Sequence, residues 1–294
     1  MARKRLLVVG CGDVARRALP QWLDRYDVAA LVRAPDPALA ARGVRLFAGD
    51  LDHAETLRPL AAATELIVHA APPPETGLQD ARTRNLLAAL GEAQKGGAML
   101  PQRVVYISTS GVYGDCGGDH VEESRPVNAQ TDRAGRRVDA ETVLSRWCGD
   151  RGIALVILRV PGIYAADRLP LAQLGRGTPV LAAEDDVYTN HIHADDLAAV
   201  LTAGLSLGEG VYNASDDGEM KMGEYFDLVA DRMGLPRPPR VRRSEAGGRI
   251  SPVLLSYMSE SRRLVNRRMK VELGIRLRYP TVYQGVPQAA ALRG

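Results

Sequence analysis

The sequence predicts an α/β fold: a doubly wound parallel sheet with a smaller C-terminal lobe. Three observations carry that expectation. Short β-branched or leucine-rich runs alternate with helix-period segments through the first two-thirds of the 294 residues. The first run ends in a glycine turn that opens directly into a helical pattern, GCGDVA at 10–15. After Arg159 the alternation gives way to loop-rich chain, as expected where excursions from the sheet's carboxyl edge build a separate lobe.

Taken in order, strands are expected at 5–9, 28–32, 44–47, 65–68, 103–107 and 153–158, each bounded by turn residues. Helices are expected at 13–24, 54–62, 79–95 and 133–149. The last places Ala140, Val143, Leu144 and Trp147 at i, i+3, i+4 and i+7, a stripe that should face the sheet. Pro20 should kink the first helix, because it removes a hydrogen bond from the interior. Residues 161–192 are loop-rich, 195–205 reads as helix and 211–215 as strand, and a final helix is expected near 259–272.

Residues 5–15, RLLVVGCGDVA, set a strand, a tight loop and a helix start in the order that a dinucleotide requires. Gly10 permits the turn. Gly12 removes the Cβ that would block a pyrophosphate from the backbone, and Ala15 is small enough for the helix to pack on its strand. The first turn, at Asp13 and Val14, then offers unpaired amides and the positive end of the helix dipole to the phosphates. The expected organisation is therefore a dinucleotide-binding Rossmann domain at 1–160 and mainly a substrate lobe at 161–294, with 190–215 returning to the sheet. The second strand ends in Arg33, about twenty residues past the loop, where an NAD-selective fold would keep a carboxylate for the ribose diol. A guanidinium there suits a 2′-phosphate, so NADP is the expected cofactor and NAD the alternative. Asp36 is close by, in a turn after Pro35 whose direction the sequence leaves open.

Composition narrows the setting. Nothing approaches a membrane span, and the apolar run after MARKR is too short for a signal peptide. Cys11, Cys116 and Cys148 are odd in number and widely spaced, which argues against a disulfide framework and for a cytoplasmic protein. The net charge of +3 is uneven: residues 237–278 hold twelve Arg or Lys against three Glu. Such a segment could hold an anionic substrate, but in so arginine-rich a chain most of these residues read as solvated surface. With Tyr257 as its only aromatic ring in that stretch, it lacks the stacking platforms of a single-strand binder, and nucleic acid is not expected.

Several segments in family order resemble the extended short-chain dehydrogenase/reductase superfamily of the NAD-dependent epimerase/dehydratase type. They are GCGDVA at 10–15, AGDLD at 48–52, HAAP at 69–72, YISTSGVYG at 106–114, LRVPGIY at 158–164 and NHIHADDLAAV at 190–200, followed by SESRRLVNRRMKVELG at 259–274. The resemblance implies that Asp50 and Leu51 sit beside adenine and that Ala70 and Ala71 line the path past the phosphates. It implies that Pro161, Gly162 and Ile163 flank the nicotinamide. Thr109 falls where the family keeps a hydroxyl for the reacting oxygen, with Ser108 and Ser110 leaving a one-residue ambiguity.

The family's acid/base Tyr, and the Lys four residues later, align with Arg133 and Arg137. Arg137 could still donate to ribose hydroxyls, but Arg133 cannot exchange a proton near neutral pH. Tyr113, Tyr164, His191 and His193 are the loop residues that could supply one instead. His191 and His193 lack carboxylate or thiolate partners for a metal, so none is expected. The resemblance also implies a homodimer through the helix at 133–149. The function expected is an atypical NADP-linked oxidoreductase acting on a small polar or anionic substrate. The alternative is a redox-silent NADP(H)-binding sensor.

Overall fold

A computed structural model describes residues 3–61 and 64–289. Seven strands form the central sheet: β1 (Lys4–Val9), β2 (Tyr26–Val32), β3 (Arg45–Ala48), β4 (Leu66–His69), β5 (Arg103–Thr109), β6 (Ala154–Val160) and β7 (Gly210–Asn213). Their spatial order is β3-β2-β1-β4-β5-β6-β7, and every pairing is parallel. The chain winds outward from β1 to β3 and then crosses back to β4. That reversal leaves a crevice at the carboxyl ends of β1 and β4, the place where a doubly wound sheet takes its ligand.

Helices α1 (Asp13–Arg25), α2 (Pro37–Ala41), α3 (Ala81–Lys95) and α4 (Asp132–Gly149) lie between the strands. Then come α5 (Leu171–Gly175) and α6 (Ala194–Gly204), followed by α7 (Met222–Met233), α8 (Pro252–Tyr257) and α9 (Arg267–Glu272). The two-residue period of β1 sorts its side chains between the two layers. Leu6 and Val8 pack with Val14, Leu19 and Trp22 of α1 and Leu197 and Leu201 of α6. Leu7 and Val9 pack with Leu86 and Leu90 of α3 and Ala140 and Leu144 of α4. All four β1 residues are fully buried, each contributing about 1.5–3 kcal/mol of apolar burial. Trp22 closes the α1–α6 contact by donating its indole N–H to Thr202 Oγ1 at 2.9 Å. The lobe has its own core, built around Val180, Leu181, Phe226, Val229, Val241 and Ile250.

Helix α1 runs from Asp13 to Arg25 with Pro20 on its exposed side. Two local expectations change. The segment expected as a helix at 54–62 is a 3-10 helix, Ala54–Ala61, in which Pro59 has no N–H to give; residue 62 lies outside the described residues. The single helix expected at 259–272 is instead extended chain, a short strand at Arg263–Leu264 and then α9. The extended stretch is recruited by a distant loop: Ser261 O accepts from the amides of Cys116 and Gly118, and Arg263–Leu264 pairs with His120–Val121. Many basic side chains of 237–278 are taken up in ion pairs, such as Arg237 with Asp231, Arg240 with Asp227 and Arg268 with Glu272.

Asp216 follows β7 into the lobe and is buried. Its Oδ1 accepts from Gly218 N at 3.0 Å, while its Oδ2 has no partner. Burial, reinforced by Asp217 and Asp196, pushes the carboxyl from 3.8 up to about 8. The folded state therefore holds a proton that the unfolded chain releases, and stability falls as pH rises from about 4 through about 8. Asp216→Asn keeps an acceptor without the charge. Urea titrations over that range should show a flatter decline for the variant than for the parent protein, and equal slopes would contradict the assignment.

Candidate functional site

At the crevice the β1–α1 loop approaches the end of β4 backbone to backbone. Gly10 has φ of 89°, and a Cβ there would lie 2.4 Å from Ala71 N. The amides of Ala70 and Ala71 both donate to Val9 O, at 2.8 and 3.0 Å, which holds the β4 turn under the loop. Gly12 is different. Its φ of −82° is open to any residue, yet a Cβ there would meet no protein atom within 4 Å. Protein packing does not require this glycine, and the space above it is free. Helix α1 has no side-chain cap, so the first-turn amides of Asp13, Val14 and Ala15 face outward for an external acceptor. The Asp13 carboxylate is matched by Arg17 at 3.0 Å and Arg168 at 3.1 Å, while Arg17 also reaches Asp167 at 2.8 Å. An open cradle over free amides, with its one acid neutralised, fits a pyrophosphate.

Beyond the loop, Leu51 is buried and its carbonyl accepts from Asn85 Nδ2 at 2.8 Å, while Asp50 Oδ1 accepts from Asp52 N at 3.0 Å. Arg33 is exposed at the end of β2 and makes no hydrogen bond to the described residues. Asp36 caps α2 by accepting from Leu39 N and pairs with Arg16. The Leu39 amide, then Arg16, hold its carboxyl below the usual carboxylate range. The turn thus directs this acid toward a cation of α1.

A cavity of about 860 Å³ opens between the sheet's carboxyl edge and the lobe. Pro161, Gly162 and Ile163 line it, as does Thr109 at the end of β5. Thr109 Oγ1 accepts from Gly111 N at 3.2 Å, so its hydroxyl proton remains available to a ligand. Ser108 turns into the core instead, donating to Glu141 Oε1, and Arg159 Nη2 grips the same carboxylate at 2.7 Å. Of the three neighbouring hydroxyls, Thr109 and Ser110 line the cavity and Ser108 does not.

The loop residues considered as proton donors mostly lie elsewhere. Tyr113 points inward: its hydroxyl donates to Asn213 Oδ1 at 2.8 Å, Arg159 covers its ring, and burial raises the phenol. It is no part of the cavity wall, which corrects the expectation for this residue. Tyr164 is buried with its hydroxyl on Thr281 O, and His193 caps α6 by accepting from Asp195 N. His191 does line the cavity, but burial pushes it down to about 3, so it stands neutral.

Helix α4 brings arginines to the opposite wall. Arg137 Nη1 donates to Tyr106 OH at 3.0 Å and Ile107 O at 2.7 Å. Arg133 lies over the Tyr257 ring at 4.2 Å, and Arg136 donates to Gly77 O at 2.7 Å. Arg136, Glu260, Arg262 and Tyr257 line the cavity although sequence reasoning gave them no role. The i+3 spacing from Arg133 could have exposed Arg136; nothing local marks the others.

A family model described as NAD(P)H-binding matches residues 10–206. The chain belongs to this NAD(P)H-binding family. Comparison with curated protein sequences finds no match. Among solved structures, a functionally unknown conserved protein from Silicibacter pomeroyi is 29% identical, with a TM-score of 0.78 over 99% of this chain and 98% of that one. UDP-glucose 4-epimerase from Thermus thermophilus, solved with NAD, is 21% identical with a TM-score of 0.75, covering 99% of each chain. UDP-N-acetylglucosamine 4-epimerase from Bacillus cereus is 15% identical with a TM-score of 0.71, over 99% of this chain and all of that one. The fold of this NAD(P)H-binding protein is that of the epimerase/dehydratase-type extended short-chain dehydrogenases/reductases. No described helix is long and apolar enough to cross a membrane.

The two loop glycines of the NAD(P)H-binding protein should respond differently to substitution. Gly12→Val fills only the open cradle, so thermal unfolding should match the parent while calorimetric titration shows no cofactor binding. Gly10→Ala drives a Cβ into the Ala71 backbone at positive φ and should lower stability by at least about 1 kcal/mol. Normal cofactor affinity in a folded Gly12→Val protein would place the phosphates elsewhere.

Proposed function

We propose that the protein is an NADP-linked oxidoreductase acting on a small polar or anionic carbonyl compound. The observation that carries this reading is Thr109, whose unspent hydroxyl proton shares a cavity with Pro161–Ile163 at the carboxyl edge of the sheet. When bound, the reduced cofactor supplies a hydride to the carbonyl carbon. Thr109 donates a hydrogen bond to the carbonyl oxygen and stabilises the negative charge that grows there. Arg137, anchored on β5, would hold the nicotinamide ribose hydroxyls, and Pro161, Gly162 and Ile163 would flank the ring. The proton that completes the alcohol comes from a donor other than the usual tyrosine, because Arg133 occupies that place.

Arg33 supports NADP over NAD. Its guanidinium is exposed at the end of β2 and unpaired among the described residues, and the nearby Asp36 is already matched by Arg16. A 2′-phosphate can take the Arg33 fork through two parallel bonds.

One observation favours the second reading, a redox-silent NADP(H) sensor. His191 is held neutral and the arginines of α4 cannot exchange protons near pH 7. General acid catalysis typically contributes about a hundredfold to ten-thousandfold, so turnover without it should be slow. Tight NADPH binding with no turnover on a panel of carbonyl and sugar-nucleotide substrates would select the sensor.

Titration with both cofactors should give tighter binding of NADPH than of NADH, and equal or tighter NADH binding would sink the NADP assignment. Arg33→Ala should weaken NADPH by about tenfold, equivalent to about 1.4 kcal/mol, and leave NADH nearly unchanged. Where turnover is found, Thr109→Val should remove it with NADPH affinity intact; turnover indifferent to this change would exclude Thr109 from the chemistry.

A further inference from the structure

The α4 wall of the cavity holds more positive charge than the fold can use. Arg133, Arg136 and Arg137 fall at i, i+3 and i+4 in the first two turns of α4 and therefore share a face. That arrangement opposes the helix twice: cations at the amino end work against the dipole, and like charges at this spacing repel. Among the described residues no carboxylate pairs with any of the three, whereas Arg168 is matched by Asp13 and Arg262 by Glu260. Among the described residues Glu75 and Glu260 are the only carboxylates on the cavity wall, and Glu75 is exposed.

The three arginines are held in different ways. Arg137 is tied to β5 through Nη1, beside the residues assigned to the cofactor. Arg136 is 7% exposed, with Nη1 on Gly77 O and a buried Nε that has no partner. Arg133 lies over the Tyr257 ring with its Cζ 4.2 Å from the centroid, and its N–H donors meet no acceptor among the described residues. A guanidinium held over a ring with an unengaged fork is suited to receive a planar or tetrahedral oxyanion through two bonds at once.

We infer that Arg133 and Arg136 form an oxyanion subsite for a carboxylate or phosphate group of the substrate, in the same cavity as Thr109. The inference rests on the proposed function only in taking that cavity as the substrate site. The unfavourable charge on α4 is then offset by the ligand rather than by the protein. Arg133 becomes an affinity residue in the place where the family keeps its proton donor.

Calorimetric titration of the NADPH-saturated protein with inorganic phosphate and with malonate, at constant ionic strength against a chloride reference, tests this. One of the two anions should bind at 1:1, and Arg133→Gln should weaken it by about tenfold or more while NADPH affinity stays within about twofold. Arg133→Lys, which keeps the charge without the fork, should recover only part of the loss. Tighter phosphate points to a phosphorylated substrate and tighter malonate to a carboxylate. Arg136→Gln should act in the same direction; since Arg136 is buried and holds Gly77, the half-buried Arg133 provides the variant that reads cleanly if that one fails to fold. Binding no tighter than chloride, or binding indifferent to Arg133→Gln, overturns the inference. The same titration of Gly12→Val without cofactor should retain the anion response, so a failure of cofactor binding and a failure of the subsite are seen separately.

Discussion

The site depends on a buried ion pair that does not line the cavity. Glu141 of α4 meets Arg159 of β6 with both side chains under 10% exposed, and Ser108 of β5 donates to the same carboxylate. Three elements are pinned together by one group: the helix with the arginines, the strand that ends in Thr109 and the strand that leads into Pro161–Ile163. Such a pair is costly to desolvate, and Arg159 Nη1 stays unpartnered in the interior. Apolar residues could stabilise the junction as well, but they would not fix the relative rotation of α4 and β5. That rotation decides which α4 side chains look into the cavity. The arrangement continues outward, since Arg159 also covers the Tyr113 ring and Tyr113 reaches Asn213 at the end of β7.

The sheet was legible in the sequence because its strands are buried on both faces. LLVV at 6–9, LIV at 66–68 and LVIL at 155–158 are continuous apolar runs that leave little choice of element. The glycine loop was legible because its pattern is local: Gly10, Gly12 and Ala15 fall within six residues between a strand and a helix, even though the contact that demands Gly10 comes from Ala71. What escaped is what depends on partners far along the chain. Whether Tyr113 faces the cavity or the core is decided by Asn213, a hundred residues away. The stretch at 259–264 has helical composition, yet the amides of Cys116 and Gly118 draw it out straight. Glu260 and Arg262 reach the cavity only because that happens, and no periodicity in their own segment could have said so.

The cavity's chemistry is unusual in its balance. It has hydroxyls and guanidiniums but little that titrates near neutrality: His191 is driven to its neutral form by burial, and Tyr225 is raised by the same cause. The walls thus offer more groups that can hold or polarise a ligand than groups that can deliver a proton. Both the slow oxidoreductase and the silent sensor share this balance, and they differ in what happens at the carbonyl once it has been held.

The reciprocal pairs between the first turn of α1 and the segment that opens the lobe give the molecule a further property. Arg17 reaches Asp167 while Arg168 reaches Asp13, so two crossed links tie α1 to the cavity wall at Arg168. At half-exposed positions each is worth no more than about 1 kcal/mol and weakens with salt. Ionic strength therefore sets how firmly these two links hold the opening segment of the lobe against α1.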